Sequence, residues 1–175
     1  MSARVPVVLF LALAASGCGA LGNRIPSEGS SPSPSDRKAA GEQFGFVTKA
    51  DAAKRTINFD PAEWLDGEEG RLAAVEDGAI GPDEALSNDY YIRNPDARTR
   101  ELELAPSATV HAAVPVTGLA VRRPTACTGN SPCTSYSVSL PAFFASFKDQ
   151  RSGGLRFWLT IRNDEVVRLD EQYVP

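Results

Sequence analysis

Ten acidic residues fall between Asp60 and Asp89 (Asp60, Glu63, Asp66, Glu68, Glu69, Glu76, Asp77, Asp83, Glu84 and Asp89) against a single base, Arg71. Carboxylates at this density could do two kinds of chemistry. They could ligate a hard cation, which wants about six to eight oxygen ligands, or two of them could act as acid and base in glycoside cleavage, which needs a separation of about 5 to 10 Å. The spacing matches no Asp-x-Asp-x-Asp-Gly loop, and helix capping plus a solvated acidic face accounts for the same run. His111 is the chain's one histidine. A Ser-His-Asp hydrolase would need it as the base, but there is no Gly-x-Ser-x-Gly elbow. Flanked by Val110 and Ala112, it reads as a packed or surface histidine. The run Asn88-Asp89-Tyr90-Tyr91-Ile92-Arg93-Asn94 has a composition enriched at binding surfaces. Strand alternation puts Tyr90 and Ile92 on one face and Tyr91 and Arg93 on the other, so Asn88, Asp89, Tyr91 and Arg93 form a candidate binding surface. The competing reading is that one tyrosine fills the core and the polar groups satisfy turns.

The three cysteines divide into Cys18 and a close pair, Cys127 and Cys133. Before Cys18, residues 1–15 carry Arg4 followed by the apolar run Val5 to Ala15. That run is short of the roughly 20 apolar residues a membrane-spanning helix needs, so it reads as a removable signal peptide. Ala15-Ser16-Gly17 then place small side chains next to a thiol that can be acylated, which resembles the lipobox of bacterial lipoproteins, with Ala15 standing where leucine is commonest. If lipid consumes Cys18, the odd thiol count is resolved. Cys127 and Cys133 are then an even set in an oxidising compartment, and a disulfide closing their five-residue loop is expected. Their spacing is not Cys-x-x-Cys, which argues against redox catalysis.

Residues 18–42 are rich in Ser, Pro and Gly with no apolar period, and read as a flexible tether. Residues 43–175 are left for folding, enough for one domain with a real core. Phe44 to Thr48 and Thr56 to Asp60 alternate around a turn at Asp51–Lys54, predicting a hairpin with Ile57 and Phe59 facing a core. Asp66 with Glu69 three residues on predicts the capped start of a short helix, in which Gly70 costs about 1 kcal/mol relative to Ala. Strand-like runs follow at 89–93, 100–104 and 109–114, punctuated by Pro95, Pro106 and Pro115. Ser139 and Pro141 predict the start of a second helix. Leu155, Phe157, Leu159 and Ile161 alternate into an Asn163-Asp164 turn and a last strand. Many short strands, two short helices and no βαβ rhythm predict an α+β, mainly β fold, as a compact antiparallel barrel or curved sheet.

The net charge of −4 and the scattered basic residues argue against nucleic acid as a partner. No cofactor or metal motif is present in the sequence. At Gly45–Thr48, Phe59–Leu65, Gly67–Glu69, Asn88–Asn94 and Glu171–Pro175 the chain resembles a group of small actinobacterial secreted proteins and lipoproteins, functionally uncharacterised. The resemblance implies a cell type and a compartment, and it supplies no catalytic residues to carry over. The expectation is a lipid-anchored domain on the outer face of the cytoplasmic membrane, a non-enzymatic accessory module binding an envelope protein or a small ligand. A carboxylate-using envelope hydrolase and a weak cation-binding domain are the alternatives.

Overall fold

Alternation in the C-terminal run, with Phe157 and Leu159 on one side and Trp158 on the other, places the strand in the wall of a closed β-barrel. The computed structural model describes residues 37, 41–113, 118–119, 134–148 and 154–174. The expected leader 1–17, nearly all of the expected tether 18–42, and Cys18, Cys127 and Cys133 lie outside the described residues. In chain order the elements are β1 (Gln43–Asp51), β2 (Thr56–Pro61), β3 (Glu63–Asp66), α1 (Gly67–Glu76), β4 (Tyr90–Arg93), β5 (Arg100–Ala113), β6 (Ser135–Val138), α2 (Leu140–Ser146), β7 (Leu155–Arg162) and β8 (Glu165–Glu171). The fold is α+β and mainly β, as expected, with α1 and α2 on a five-stranded barrel among the described residues. Its strands run in the order β2-β1-β7-β8-β5, and β2 pairs with β5 to close the ring. Among the described residues every pairing is antiparallel except β5–β8, which is parallel from Glu103 opposite Glu165 to His111 opposite Asp170. Closure leaves no bare edge among these five strands. None of the described helices is long and apolar enough to cross a membrane.

The turns follow from residue chemistry. Asp51 Oδ1 accepts the backbone N–H of Ala53 at 2.9 Å and of Lys54 at 3.1 Å, an Asx turn that reverses β1 into β2. Asn163 and Asp164 sit at φ 51° and 65°, the positive pair that a two-residue type I′ hairpin requires between β7 and β8. The barrel core gathers Val47, Ile57, Phe59, Leu104, Phe157 and Leu169, and α2 lowers Phe143 into it. Ser139 caps α2 by accepting the N–H of Ala142 at 3.4 Å.

Three expectations need correction. The runs expected at 100–104 and 109–114 join, over the described residues, in one strand, β5, Arg100–Ala113. Pro106 does not end it, because it sits exposed where the register slips between Leu104 and Thr109, a site that needs no ladder N–H. The short strands β3 and β6 carry too few alternating residues to announce themselves in sequence. Asp66 has the extended backbone of an N-cap but makes no side-chain cap to α1. Its Oδ1 instead accepts the indole N–H of Trp64 at 2.6 Å. Arg37, inside the expected tether, packs on the barrel with 5% exposure, its Nη1 3.0 Å from both Glu42 Oε2 and Asp170 Oδ2.

Candidate ligand-binding cleft

Residues of opposite parity on β1 and β7 point away from the barrel core, and among them are aromatics. Phe44 and Trp158 are covered on the outside by β3, whose Trp64 completes a second buried cluster. Phe44 meets Trp64 edge-on at 5.2 Å between ring centroids and lies 5.2 Å from Trp158. Trp64 in turn stacks on Tyr90 of β4 at 4.2 Å. The polar edge of each indole is satisfied, Trp64 by Asp66 and Trp158 by Gln172 Oε1 at 2.9 Å. The rings are therefore held in place by contacts on several sides.

Helix α1 packs on the other face of the β3–β4 ribbon at very short range. A Cβ on Gly70 would stand 2.5 Å from the Leu65 carbonyl oxygen and 3.2 Å from the Tyr91 nitrogen, so the glycine permits the approach. The helix turns Ala73 and Ala74 inward and leaves Leu72 55% exposed. Between α1, the β2–β3 connection and the start of β1 lies a cleft of about 610 Å³ with Phe44, Trp64 and Trp158 at its floor and Leu72 on its wall. Glu42, Glu63, Glu69, Glu76 and Arg93 carry the charge on its lining. An adjoining hollow of about 430 Å³ shares Pro61, Ala62, Glu63 and Arg93 with it. The size and the mix of apolar wall with a few polar groups suit a small ligand.

The expected surface residues divide. Tyr91 and Arg93 do share a face of β4, and that face meets the C-terminal end of α1. Arg93 Nε lies 3.0 Å from Asp77 Oδ2, and its Nη2 lies 2.6 Å from Asp77 Oδ1 and 2.9 Å from Glu76 Oε2, while the Tyr91 hydroxyl donates to Asp77 Oδ2 at 3.2 Å. Hydrogen bonds from Arg93 and then Tyr91 hold the Asp77 carboxyl below its ordinary value. Hydrogen bonds to Asp77 and then Glu76 push the Arg93 guanidinium up, and burial followed by the hydrogen bond to Asp77 pushes the Tyr91 phenol up. This triad pins the helix end that walls the cleft, and Arg93 also lines the cleft. Asn88 and Asp89 are exposed outside it, where the Asp89 carbonyl accepts the Gly67 N–H at 2.9 Å.

The acidic run is distributed over separate local tasks. Asp60 accepts the Asn94 side-chain amide at 2.9 Å, Glu68 pairs with Arg71 at 2.8 Å, and Glu84 accepts the Gly81 N–H at 2.8 Å. Among the described residues, no three His, Cys, Asp or Glu side chains gather in a way that could hold a metal ion.

His111 lies on another wall of the barrel. Its Nδ1 is 3.1 Å from Asp170 Oδ1 but is poorly aligned for a hydrogen bond. Ser137 faces His111 across the β5–β6 ladder, so serine, histidine and aspartate share one row. Asp170 is already committed: Arg168 reaches it at 2.6 Å and Arg37 at 3.0 Å. Burial opposes its ionisation, yet His111, Arg168 and Arg37 outweigh burial and hold the carboxyl well below the usual range. That arrangement holds Arg37 against the barrel and leaves the aspartate little freedom to orient a catalytic imidazole.

Sequence reading missed the cleft, since its lining comes from β1, β3, α1, β4 and β7. The available signal was Leu72, a large apolar residue on a helix whose buried positions are Gly and Ala. Compared with known proteins, the chain matches no family model, no curated protein and no solved structure.

Proposed function

We propose that the protein is a membrane-tethered, extracytoplasmic binding module without enzymatic activity, in the compartment that a resemblance to actinobacterial lipoproteins implies. Its working surface is the cleft beside α1. The observation that carries the reading is the pairing of an aromatic floor with an exposed leucine. Burying Leu72 on its neighbours would remove apolar surface from water at about 25 cal/mol per Å², but the helix presents it to a concavity of ligand size instead. The anchor reading rests on the small residues before Cys18, and a tether of roughly 25 residues would reach about 25 to 30 Å, enough to hold the cleft clear of lipid headgroups.

A photoreactive residue at position 72 of the lipidated protein in intact cells tests the reading, with the same residue at Ala53 in the exposed β1–β2 turn as control. A cross-linked species specific to position 72 is expected. Identical patterns from the two positions, or none from either, would remove the support for a binding module working through this cleft.

A further inference from the structure

Resting on the cleft reading, we propose that the ligand is an uncharged, largely apolar small molecule, a hydrocarbon body held by burial and not by ion pairing. The volume, about 610 Å³, falls in the range of small-molecule sites and is small for a folded partner. Charge complementarity then selects the class, because the charged groups of the lining are matched within the chain itself, leaving a site that is apolar wherever it is unsatisfied.

Each polar group can be followed to its partner. Glu42 is held at both oxygens: Arg37 Nη1 lies 3.0 Å from Oε2, and the Thr160 hydroxyl donates to Oε1 at 3.2 Å. Glu76 Oε2 lies 2.9 Å from Arg93, which serves Asp77 as well, so one guanidinium stands between two carboxylates. Glu69 has an interaction of its own. The indole N–H of Trp64 is spent on Asp66 and that of Trp158 on Gln172. Glu63 is exposed to solvent, and an ion pair made with it would be a surface pair, worth no more than about fivefold in affinity. A charged ligand seated in the cleft therefore gives up hydration and finds its counterparts already taken. A hydrocarbon gives up nothing polar and covers Leu72, the large apolar side chain that α1 leaves exposed.

The chain's two tryptophans both line the cleft, so intrinsic emission reports occupancy. Three probes with one tail and different heads, 1-octanol, octylammonium and octanoate, are titrated against the full chain at pH 7, below their micelle concentrations. The expected result is a saturable change with 1-octanol at concentrations at least about tenfold lower than with either ion. Binding by burial also predicts that 1-hexanol, two methylenes shorter, binds about tenfold more weakly than 1-octanol. Leu72→Ala should weaken 1-octanol by about three- to tenfold, and unaltered melting of this variant separates lost affinity from lost fold. Octylammonium or octanoate binding as tightly as 1-octanol, or more tightly, overturns the uncharged assignment and leaves the binding cleft standing. Saturable binding by none of the probes, or a 1-octanol affinity that Leu72→Ala leaves unchanged, overturns both.

Discussion

Replacing Gly70 with alanine sets two physical effects against each other. In an exposed helix the change would stabilise by about 1 kcal/mol, since alanine loses less backbone freedom on ordering. Here the new Cβ would lie 2.5 Å from the Leu65 carbonyl oxygen, and ordinary contact begins near 3.4 Å, so α1 must move off β3 by about 0.9 Å. The obstructing atoms are backbone on two sides, Leu65 and the Tyr91 nitrogen at 3.2 Å, and neither can rotate away. Overpacking of this kind costs about 1 to 3 kcal/mol, and more where the backbone itself must yield. The clash outweighs the propensity gain, leaving a net loss of about 1 to 2 kcal/mol. For a domain this size that lowers Tm by about 4 to 8 °C. Thermal unfolding followed by circular dichroism measures it, and tryptophan emission at 25 °C reports whether the displaced helix disturbs the cleft floor. A Tm at or above that of the parent would refute the close approach of α1 to the β3–β4 ribbon.

Three further outcomes follow from the same geometry. Asp170→Asn should destabilise by about 3 kcal/mol, because Arg37 and Arg168 lose a buried counter-charge. The Asp170 carboxyl is depressed in the fold, so its contribution is complete above the ordinary carboxylate range near pH 4 and is lost as pH falls below it; the parent's Tm should decline more steeply than the variant's between about pH 5 and 2. Asp66→Ala should cost about 1 to 2 kcal/mol in urea unfolding and shift tryptophan emission, because the partly buried Trp64 N–H loses its acceptor; a loss of helix signal without an emission change would instead favour a capping role. Cys18→Ala should move the exported protein from the membrane to the soluble fraction, and membrane partitioning equal to the parent's would exclude an anchor at that residue.

What the sequence could and could not convey follows from the range of each interaction. Hairpin β7–β8 was legible because its alternation and its Asn163-Asp164 turn are local, and Ser139 with Pro141 marked α2 for the same reason. The face shared by Tyr91 and Arg93 was legible from strand period alone, but not what it meets, since Asp77 lies sixteen residues away from Arg93. Gly70 looked like a weak point in a helix and is instead a contact surface, a reversal that depends on where β3 and β4 run. Asp66 looked like a cap because capping is a local pattern, but the indole of Trp64 takes its carboxylate. Trp158 alternates outward and would pass for a surface residue, yet it is 2% exposed because the small β3–β4 ribbon covers it. The acidic run read as one feature in sequence and separates into a turn contact, ion pairing and a cleft rim, because its members sit on β2, β3, α1 and the segment beyond it.

That the cleft is an open apolar site can be tested most directly with an uncharged environment-sensitive dye such as Nile red, excited through energy transfer from Trp64 and Trp158. The parent should give transferred dye emission that saturates at one site. Leu72→Glu, a change at a position already 55% exposed, should abolish it while leaving Tm within about 2 °C. Dye emission that persists undiminished in Leu72→Glu, or that is absent from the parent, would contradict a ligand site in this cleft.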